Sequence, residues 1–385
     1  MQTRGRKNFS TPNNTMSTKL CPTIVLAILL TGCATSDQAT KPPNENLDAV
    51  DFQTLLSRAE KGSAEAQLAV SERYQSGTGV AKNETKAFEW AEKAANMGNT
   101  AAMRTLTTMH SEGIGVEKSW SRAAQWIRKA ANKGDTMAMN TLAQFYEMGL
   151  GGMEKSDLVA RQWVRKSAEL GKPLGMFNLA MMAKKGQGGE KNPVESAKWM
   201  TRAAESGHIE AQHQLGHLYE NGTGVEKDTA KAFEWWLKAA ENGEKSSQGH
   251  VSHHYEKGEG VEQDEAKALY WMKKAAESGH AIMQQILGVK YVKGDGVEKD
   301  IEKGVAWVKK AAEQGSTDAQ YEMGVIYATE EFGMKDLQQA YAWFSLAKDK
   351  NEKAKNALSH VSIEIKPVEL LRAIEMVTEF KEKNK

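Results

Sequence analysis

Histidines are the residues of this sequence whose types and spacing come closest to a chemical site. His213 and His217 lie four residues apart, and His250, His253 and His254 follow further along the chain. Imidazoles four residues apart on a helix face the same side and can share a zinc ion. His217 and His253 are 36 residues apart, so stacking of a 36-residue repeat would make them neighbours.

A metal centre is nevertheless not what these histidines predict. The chain has no His-Glu-x-x-His motif, in which one helix carries two zinc ligands and the catalytic carboxylate. The histidines also occupy polar positions of the repeat described below, which accept many residue types. We therefore expect solvated histidines of a surface groove, with no metal and no cofactor; a metal-binding protein built on this cluster is an alternative.

Other catalytic patterns are missing or stand in the wrong context. The sequence has no Gly-x-Ser-x-Gly motif, and its Gly-x-Gly stretches follow helical patterns instead of strands, which argues against dinucleotide and P-loop sites. Acidic side chains fall in lysine-rich helical phrases, as on a solvated face. The sequence therefore predicts no catalytic residue and no enzyme.

The elements that position these residues are internal repeats. The phrase GVEKDTAKAFEWWLKAAENG (224–243) returns as GVEKDIEKGVAWVKKAAEQG (296–315). Its last glycine recurs every 36 residues, with one interval of 37 in the loop GLGGMEKS. A period of this length indicates stacked supersecondary units instead of one globular core. Eight of the ten tryptophans share one repeat position: Trp90, Trp126, Trp163, Trp199, Trp235, Trp271, Trp307 and Trp343.

Each unit carries two helical patterns joined by a glycine-containing connection. Two glycines in NGTGVEKD (221–228) end the first helix, Asp228 is placed to cap the second, and Gly243 ends it. The apolar stripe of the second helix includes Trp235, so we expect the repeated tryptophans to be structural and to fill the core.

The phrases A-x-x-x-L-G-x-x-Y, G-x-G-V and K-A-x-x-W-x-x-K-A-A-x-x-G resemble the Sel-one-like repeat family, relatives of tetratricopeptide repeats. His110 and Ala183 replace the tyrosine in two copies, and EEF (330–332) replaces the glycine loop of the last copy, so we expect local irregularity there. The resemblance implies an all-α, right-handed α-solenoid of eight helix-turn-helix repeats over 64–351. Capping helices are predicted at 48–63 and 352–385, the latter with a polar outer face.

The first residues predict a lipoprotein signal. A lysine and a short apolar run, Ile24 to Leu30, precede Leu30-Thr31-Gly32-Cys33, which suits a signal peptide over 1–32 and resembles a bacterial lipobox. Cys33 would then carry lipid, and residues 33–47 would form a flexible tether. Met1 and Met16 both remain possible starts. Ala34 after the cysteine favours the periplasmic side of the outer membrane.

Composition excludes some partners. The 51 basic and 50 acidic residues give a net charge of +1, which offers no electrostatic attraction for nucleic acid. Cys21 would leave with the signal peptide, so no disulfide framework is expected.

A non-catalytic adaptor of the bacterial cell envelope is the predicted function. The resemblance implies envelope or host proteins as partners, peptidoglycan-associated proteins among them. An envelope hydrolase acting on cell-wall material, β-lactamase-like or peptidoglycan-related, is an alternative, although cysteine-rich relatives linked to β-lactamase activity carry cysteines that this chain lacks.

The resemblance also predicts a binding surface on the first helix of each repeat. Positions two before and two after the repeated leucine should line the concave groove. They are Asn140, Gln144, Phe177, Met181, His213, His217, Gly249, His253, Gln285, Val289, Tyr321 and Val325. Among these mostly polar or small residues, Phe177 and Met181 form an apolar pair and a candidate hot spot. The alternative is that Phe177 turns inward and fills the gap beside Ala183, where this copy lacks its tyrosine.

Replacing Cys33 by serine should abolish lipidation and release the protein from the membrane fraction, because the thioether-forming sulfur is gone. Incorporation of labelled fatty acid and membrane fractionation measure both effects. Cys21→Ser is the matched control and should retain lipid. A Cys33→Ser protein that still takes up fatty acid and stays membrane-bound contradicts the prediction.

Overall fold

A computed structural model of the chain describes residues 47–383. The predicted signal peptide, Cys33 and the predicted tether up to residue 46 lie outside the described residues. Over 47–383 the chain forms α-helices, two short 3-10 helices (Leu47–Ala49 and Leu150–Gly152) and no β-strand. None of the helices in this range is both long and apolar enough to cross a bilayer.

The chain divides into two compact units, which are described separately. The described part of the first unit covers 47–175 and 187–189, and the second covers 176–186 and 190–383. Helix α8 (Pro173–Lys185) contributes residues to both. The other helices of the first unit are α1 Phe52–Glu60, α2 Ala64–Ser76, α3 Glu84–Asn96, α4 Thr100–Glu112, α5 Trp120–Asn132, α6 Thr136–Met148 and α7 Asp157–Glu169.

The helices of the second unit are α9 Pro193–Glu205, α10 Ile209–Asn221, α11 Thr229–Glu241, α12 Lys245–Lys257, α13 Glu265–Glu277, α14 Ala281–Lys293, α15 Ile301–Glu313, α16 Thr317–Ala328, α17 Leu337–Ala347, α18 Glu352–Glu364 and α19 Pro367–Lys383. Within the units, consecutive helices from α1 to α7 and from α9 to α18 pack against each other along the chain. The prediction of an all-α fold of stacked helix pairs is confirmed, and its right-handed sense remains a prediction.

Local signals in the sequence set the helix ends. The Asp228 side chain accepts a hydrogen bond from the Lys231 backbone N–H at 2.9 Å, which satisfies one donor exposed at the start of α11. Gly222 ends α10 with φ +66°, and Gly243 follows α11 with φ +86°. These angles lie in the left-handed region, where a side chain would be strained. The predicted cap and glycine stops are therefore confirmed.

The repeated tryptophan is buried in only two of its eight copies, as Trp199 and Trp343. It is partly buried in most copies, and a lysine or arginine three residues later lies over its ring in six of them: Lys93, Lys129, Lys166, Arg202, Lys238 and Lys310. The expectation that every repeated tryptophan fills the core is therefore corrected. Consecutive side chains on a helix point in directions about 100° apart, so the residue after the tryptophan faces inward.

The position after each repeated tryptophan is buried in all eight copies. Its occupants are Ala91, Ile127, Val164, Met200, Trp236, Met272, Val308 and Phe344. Small residues on the first helix make room for the larger ones. A Cβ atom at Gly216 would lie 2.5 Å from Trp236 Nε1, and one at Gly324 would lie 2.4 Å from the Phe344 ring. Gly216 and Gly324 thus allow the two helices of their repeats to approach closely.

The chain ends depart from the regular pattern in two ways. Helix α16 stops at Ala328 and is followed by extended Thr329 instead of a left-handed glycine, as the missing glycine loop predicts. Helix α19 begins at Pro367, and α18 and α19 both pack on α17. The exposed side chains of this cap are mostly polar, as predicted, but Ile363, Val368 and Leu371 are exposed among them.

Truncating Trp236 to alanine should destabilise the protein by about 3–5 kcal/mol, the usual range for a fully buried aromatic residue. The same truncation at the neighbouring Trp235 should cost about 1 kcal/mol, mainly the interaction with Lys238. Chemical denaturation of both variants measures the difference. Equal losses, or a larger loss for Trp235→Ala, would mean that the core position is misassigned.

Candidate functional site

The residue two positions before the repeated leucine lies at the contact between consecutive first helices. It reaches the residue 31 positions later, which caps the next first helix. The pairs are Arg104 with Asp135 (3.1 Å), Phe177 stacked on His208 (ring centroids 4.6 Å apart), His213 with Glu244 (3.2 Å) and Gln285 with Ser316 (3.4 Å). This position therefore helps to join consecutive repeats.

The predicted open groove is wrong for several of these residues. Asn140 is 6% exposed and donates to Ser167 Oγ at 3.1 Å, and His213 is also buried. Gly249 is buried as well. The burial of these residues could not be predicted from the helical pattern of one repeat. It depends on the distance between consecutive repeats, which that pattern does not contain.

The capping helix α18 partly covers the predicted groove at the C-terminal end. Tyr321 and Val325 on α16 pack against the cluster that Phe344, Ala354 and Val361 form on α17 and α18. The Tyr321 ring lies 5.8 Å from the Phe344 ring. These two predicted groove residues therefore act in packing of the cap.

The position two after the leucine remains at the surface. Gln144, Met181, His217 and Val289 are half-buried there, and His253 is exposed. The position just before the leucine, occupied by His250 on α12 and Ile286 on α14, lies at the same surface and was missed. Helical spacing could have found it, because residues 286 and 289 are three apart and share a face.

An apolar strip marks this surface on α14. Ile282 is 55% exposed, Ile286 is 37% exposed, and Val289 is half-buried. They are spaced i, i+4 and i+7 and therefore lie along one face of the helix. The equivalent positions are Ser246, His250 and His253 on α12, and Asp318, Glu322 and Val325 on α16. The strip is thus flanked mainly by polar side chains.

Three histidines meet between α10 and α12. One ring nitrogen from each of His213, His217 and His250 lies within 4.8 Å of one from each of the others. The centroids of His217 and His250 are 4.8 Å apart and their rings are perpendicular. His253, which the sequence placed beside His217, is exposed instead, and its Nδ1 lies 4.0 Å from Glu256 on its own helix. The structure therefore puts His250 in the place expected for His253.

Trp236 on α11 forms the floor of this cluster. Its ring is stacked on His250, with centroids 4.3 Å apart, and it meets His217 edge to face at 5.2 Å. The indole Nε1–H donates to the His213 carbonyl oxygen at 3.1 Å. The buried core residue of the repeat thereby contacts all three histidines.

Glu244 and Ser247, at the start of α12, hold the His213 ring. His213 Nδ1 lies 2.8 Å from Ser247 Oγ and 3.2 Å from Glu244 Oε2. Burial alone would raise the pKa of Glu244, but hydrogen bonds from His213, Ser247 and backbone N–H groups hold it well below its usual range. Glu244 is therefore a carboxylate at neutral pH.

The other two histidines are neutral at pH 7. Burial lowers the pKa of His217 to about 4, and His213 and Lys184 add to the effect. Burial also lowers the pKa of His250 to about 3, with further lowering by the neighbouring histidines. Neutral imidazoles keep a ring-nitrogen lone pair available as an acceptor or a ligand.

Comparison with known proteins bears on the repeat itself. The Sel1 repeat model matches the chain eight times in succession, over 64–99, 102–135, 136–172, 173–208, 209–244, 246–280, 282–316 and 317–352. The chain belongs to the Sel1 repeat family. The resemblance found in the sequence is therefore confirmed, and the Sel1 boundaries place each helix pair in one repeat.

Two solved Sel1 repeat structures resemble the chain along most of its length. The first is c5321, described as a protective antigen present in uropathogenic Escherichia coli strains, with 30% identity and a TM-score of 0.70 over 87% of this chain and 72% of that protein. The second is a Sel1 repeat protein from Oxalobacter formigenes, with 27% identity and a TM-score of 0.66 over 85% of this chain and 98% of that protein. No curated protein sequence matches the chain. Sel1 repeat proteins are generally scaffolds for protein–protein interaction.

Replacing Phe177 by alanine should reduce stability by about 1–2 kcal/mol, because its ring is stacked on His208 and half-buried. Met181→Ala, on the next turn of the same helix, should change stability less. Chemical denaturation of both variants measures the two effects. An unchanged denaturation midpoint for Phe177→Ala would contradict a packing role. It would mean that Phe177 belongs to the exposed apolar pair with Met181 that the sequence predicted.

Proposed function

We propose that this Sel1 repeat protein is a non-catalytic scaffold at the bacterial cell envelope that binds another protein along the exposed face of its first helices. The partners are envelope or host proteins, peptidoglycan-associated proteins among them. The apolar strip of Ile282, Ile286 and Val289 is the observation that carries the proposal. Exposed apolar side chains surrounded by polar ones are typical of an interface anchor and its rim.

The geometry around His213 favours binding over catalysis. In a serine nucleophile triad, the serine and the carboxylate bind opposite nitrogens of the histidine. Here Ser247 and Glu244 both approach Nδ1, and Ser247 is fully buried. Ser247 is therefore not placed to attack a substrate with His213 as the base that takes its proton. The hydrogen bonds instead join α10 to α12.

Lipidation at Cys33 is the anchor in this proposal. The lipobox-like ending Leu30-Thr31-Gly32-Cys33 supports it, and the periplasmic side of the outer membrane is the proposed location. The Escherichia coli relative is described as a protective antigen, which is in keeping with a role in the envelope or in contact with a host. The lipid would hold the repeats near their partner and raise its effective concentration.

A photo-crosslinking amino acid at position 286 tests the binding surface in the organism that makes the protein. We expect a discrete crosslinked product with a second protein. The matched control is position 270, where Tyr270 is 53% exposed on the second helix α13. Products that are equally strong from position 270, or none from position 286, would contradict a binding surface on the first helices.

Ile286→Glu should then weaken capture of that crosslinked partner at least tenfold, because a charge at an interface anchor must be desolvated. The melting temperature should change little, since Ile286 is exposed in the free protein. Tyr270→Glu serves as control and should bind normally. Unimpaired partner capture by a folded Ile286→Glu protein would remove the strip from the binding site.

A further inference from the structure

We infer that His213, His217 and His250 form a binding site for one divalent transition-metal ion of the zinc class. The three side chains come from two consecutive first helices, α10 and α12, and all belong to the second unit. A scaffold of helical repeats does not need such a site, so this inference goes beyond the proposed function and does not depend on it.

The distances between the ring nitrogens are close to those of a metal site. Zinc binds imidazole nitrogen at about 2.0–2.1 Å, which places two ligands of a tetrahedral ion about 3.3 Å apart. One nitrogen from each of the three rings already lies within 4.8 Å of the others. Small side-chain rotations of His217 and His250, both half-buried at the surface, would close the remaining gap.

The surroundings of His213 are those of a metal ligand. Ligating histidines usually present their second ring nitrogen to a carboxylate or a similar acceptor, which fixes the ring and strengthens it as a ligand. His213 Nδ1 is held in this way by Glu244 and Ser247. Its Nε2 is therefore the nitrogen left to bind the ion. Glu244 also supplies negative charge close to the cation, which offsets repulsion by Lys184.

The ligand types define the class of ion and its coordination. Three imidazoles suit zinc, copper, nickel or cobalt, whereas magnesium and calcium require oxygen ligands. Among residues 47–383, the cluster offers three such side chains and no fourth. A water molecule or a side chain of a bound protein would complete the tetrahedron, as in sites that keep one open position.

Zinc binding to the full-length protein, purified without an affinity tag, tests the inference. Equilibrium dialysis should show one zinc ion per chain with a Kd in the micromolar range or below. His250→Gln and His217→Gln should each weaken binding at least 100-fold. The matched control is His253→Gln, on the same helix but exposed and outside the cluster, and it should bind as the unchanged protein does.

Cobalt substitution and the Glu244→Gln variant add independent measurements. Bound cobalt should show the intense d–d absorption of a four-coordinate ion, and Glu244→Gln should weaken zinc binding about 10–100-fold. Thermal melting without metal establishes that each variant is folded. If His250→Gln is unfolded, zinc binding by His217→Gln tests the site instead. Absence of saturable binding, or equal weakening by His253→Gln, would overturn the inference.

Discussion

Close approach between the two helices of a repeat is the constraint on which the rest of the structure depends. A short helix pair has too little surface to form a core alone, so it must bury its apolar stripe against its neighbours. Gly216 allows Trp236 to lie directly on α10, and Gly288 and Gly304 bring α14 and α15 together. Any side chain at these glycines would meet atoms at 2.7 Å or less. The apolar core is accordingly one cluster over 55–153 in the first unit and a series of smaller clusters in the second.

The same packing determines which side chains remain for function. The second helix contributes a buried residue after each repeated tryptophan, so it separates consecutive first helices by a fixed distance. At that distance the residue two positions before the leucine contacts the residue that caps the next first helix, as His213 contacts Glu244. On the first helices, the face where His250 and Ile286 lie is left for ligands. Protein binding and metal binding are proposed for adjacent parts of this one face.

Short-range features of the fold could be predicted from the sequence, and features that span repeats could not. Glycine and aspartate act within a few residues, so the helix ends around Asp228 and Gly243 were predictable. The core position was mistaken because the tryptophan recurs in all eight copies, whereas the type of the residue after it varies. Comparison of the copies would have corrected it, since the following residue is apolar every time. Predicting that His217 contacts His250 instead of His253 would have required the relative position of α10 and α12, which the sequence does not give.

The central claim is that buried positions of the second helices hold the repeats together while one face of the first helices stays exposed. Saturation mutagenesis of the full chain tests it most directly, with the abundance of folded protein in the cell as the readout. Polar and charged substitutions should be rejected at Ile127, Trp236 and Phe344. They should be accepted at Ile286 and His253, which are exposed. The account is contradicted if the exposed positions are as intolerant as the buried ones, or if charge is accepted at Trp236.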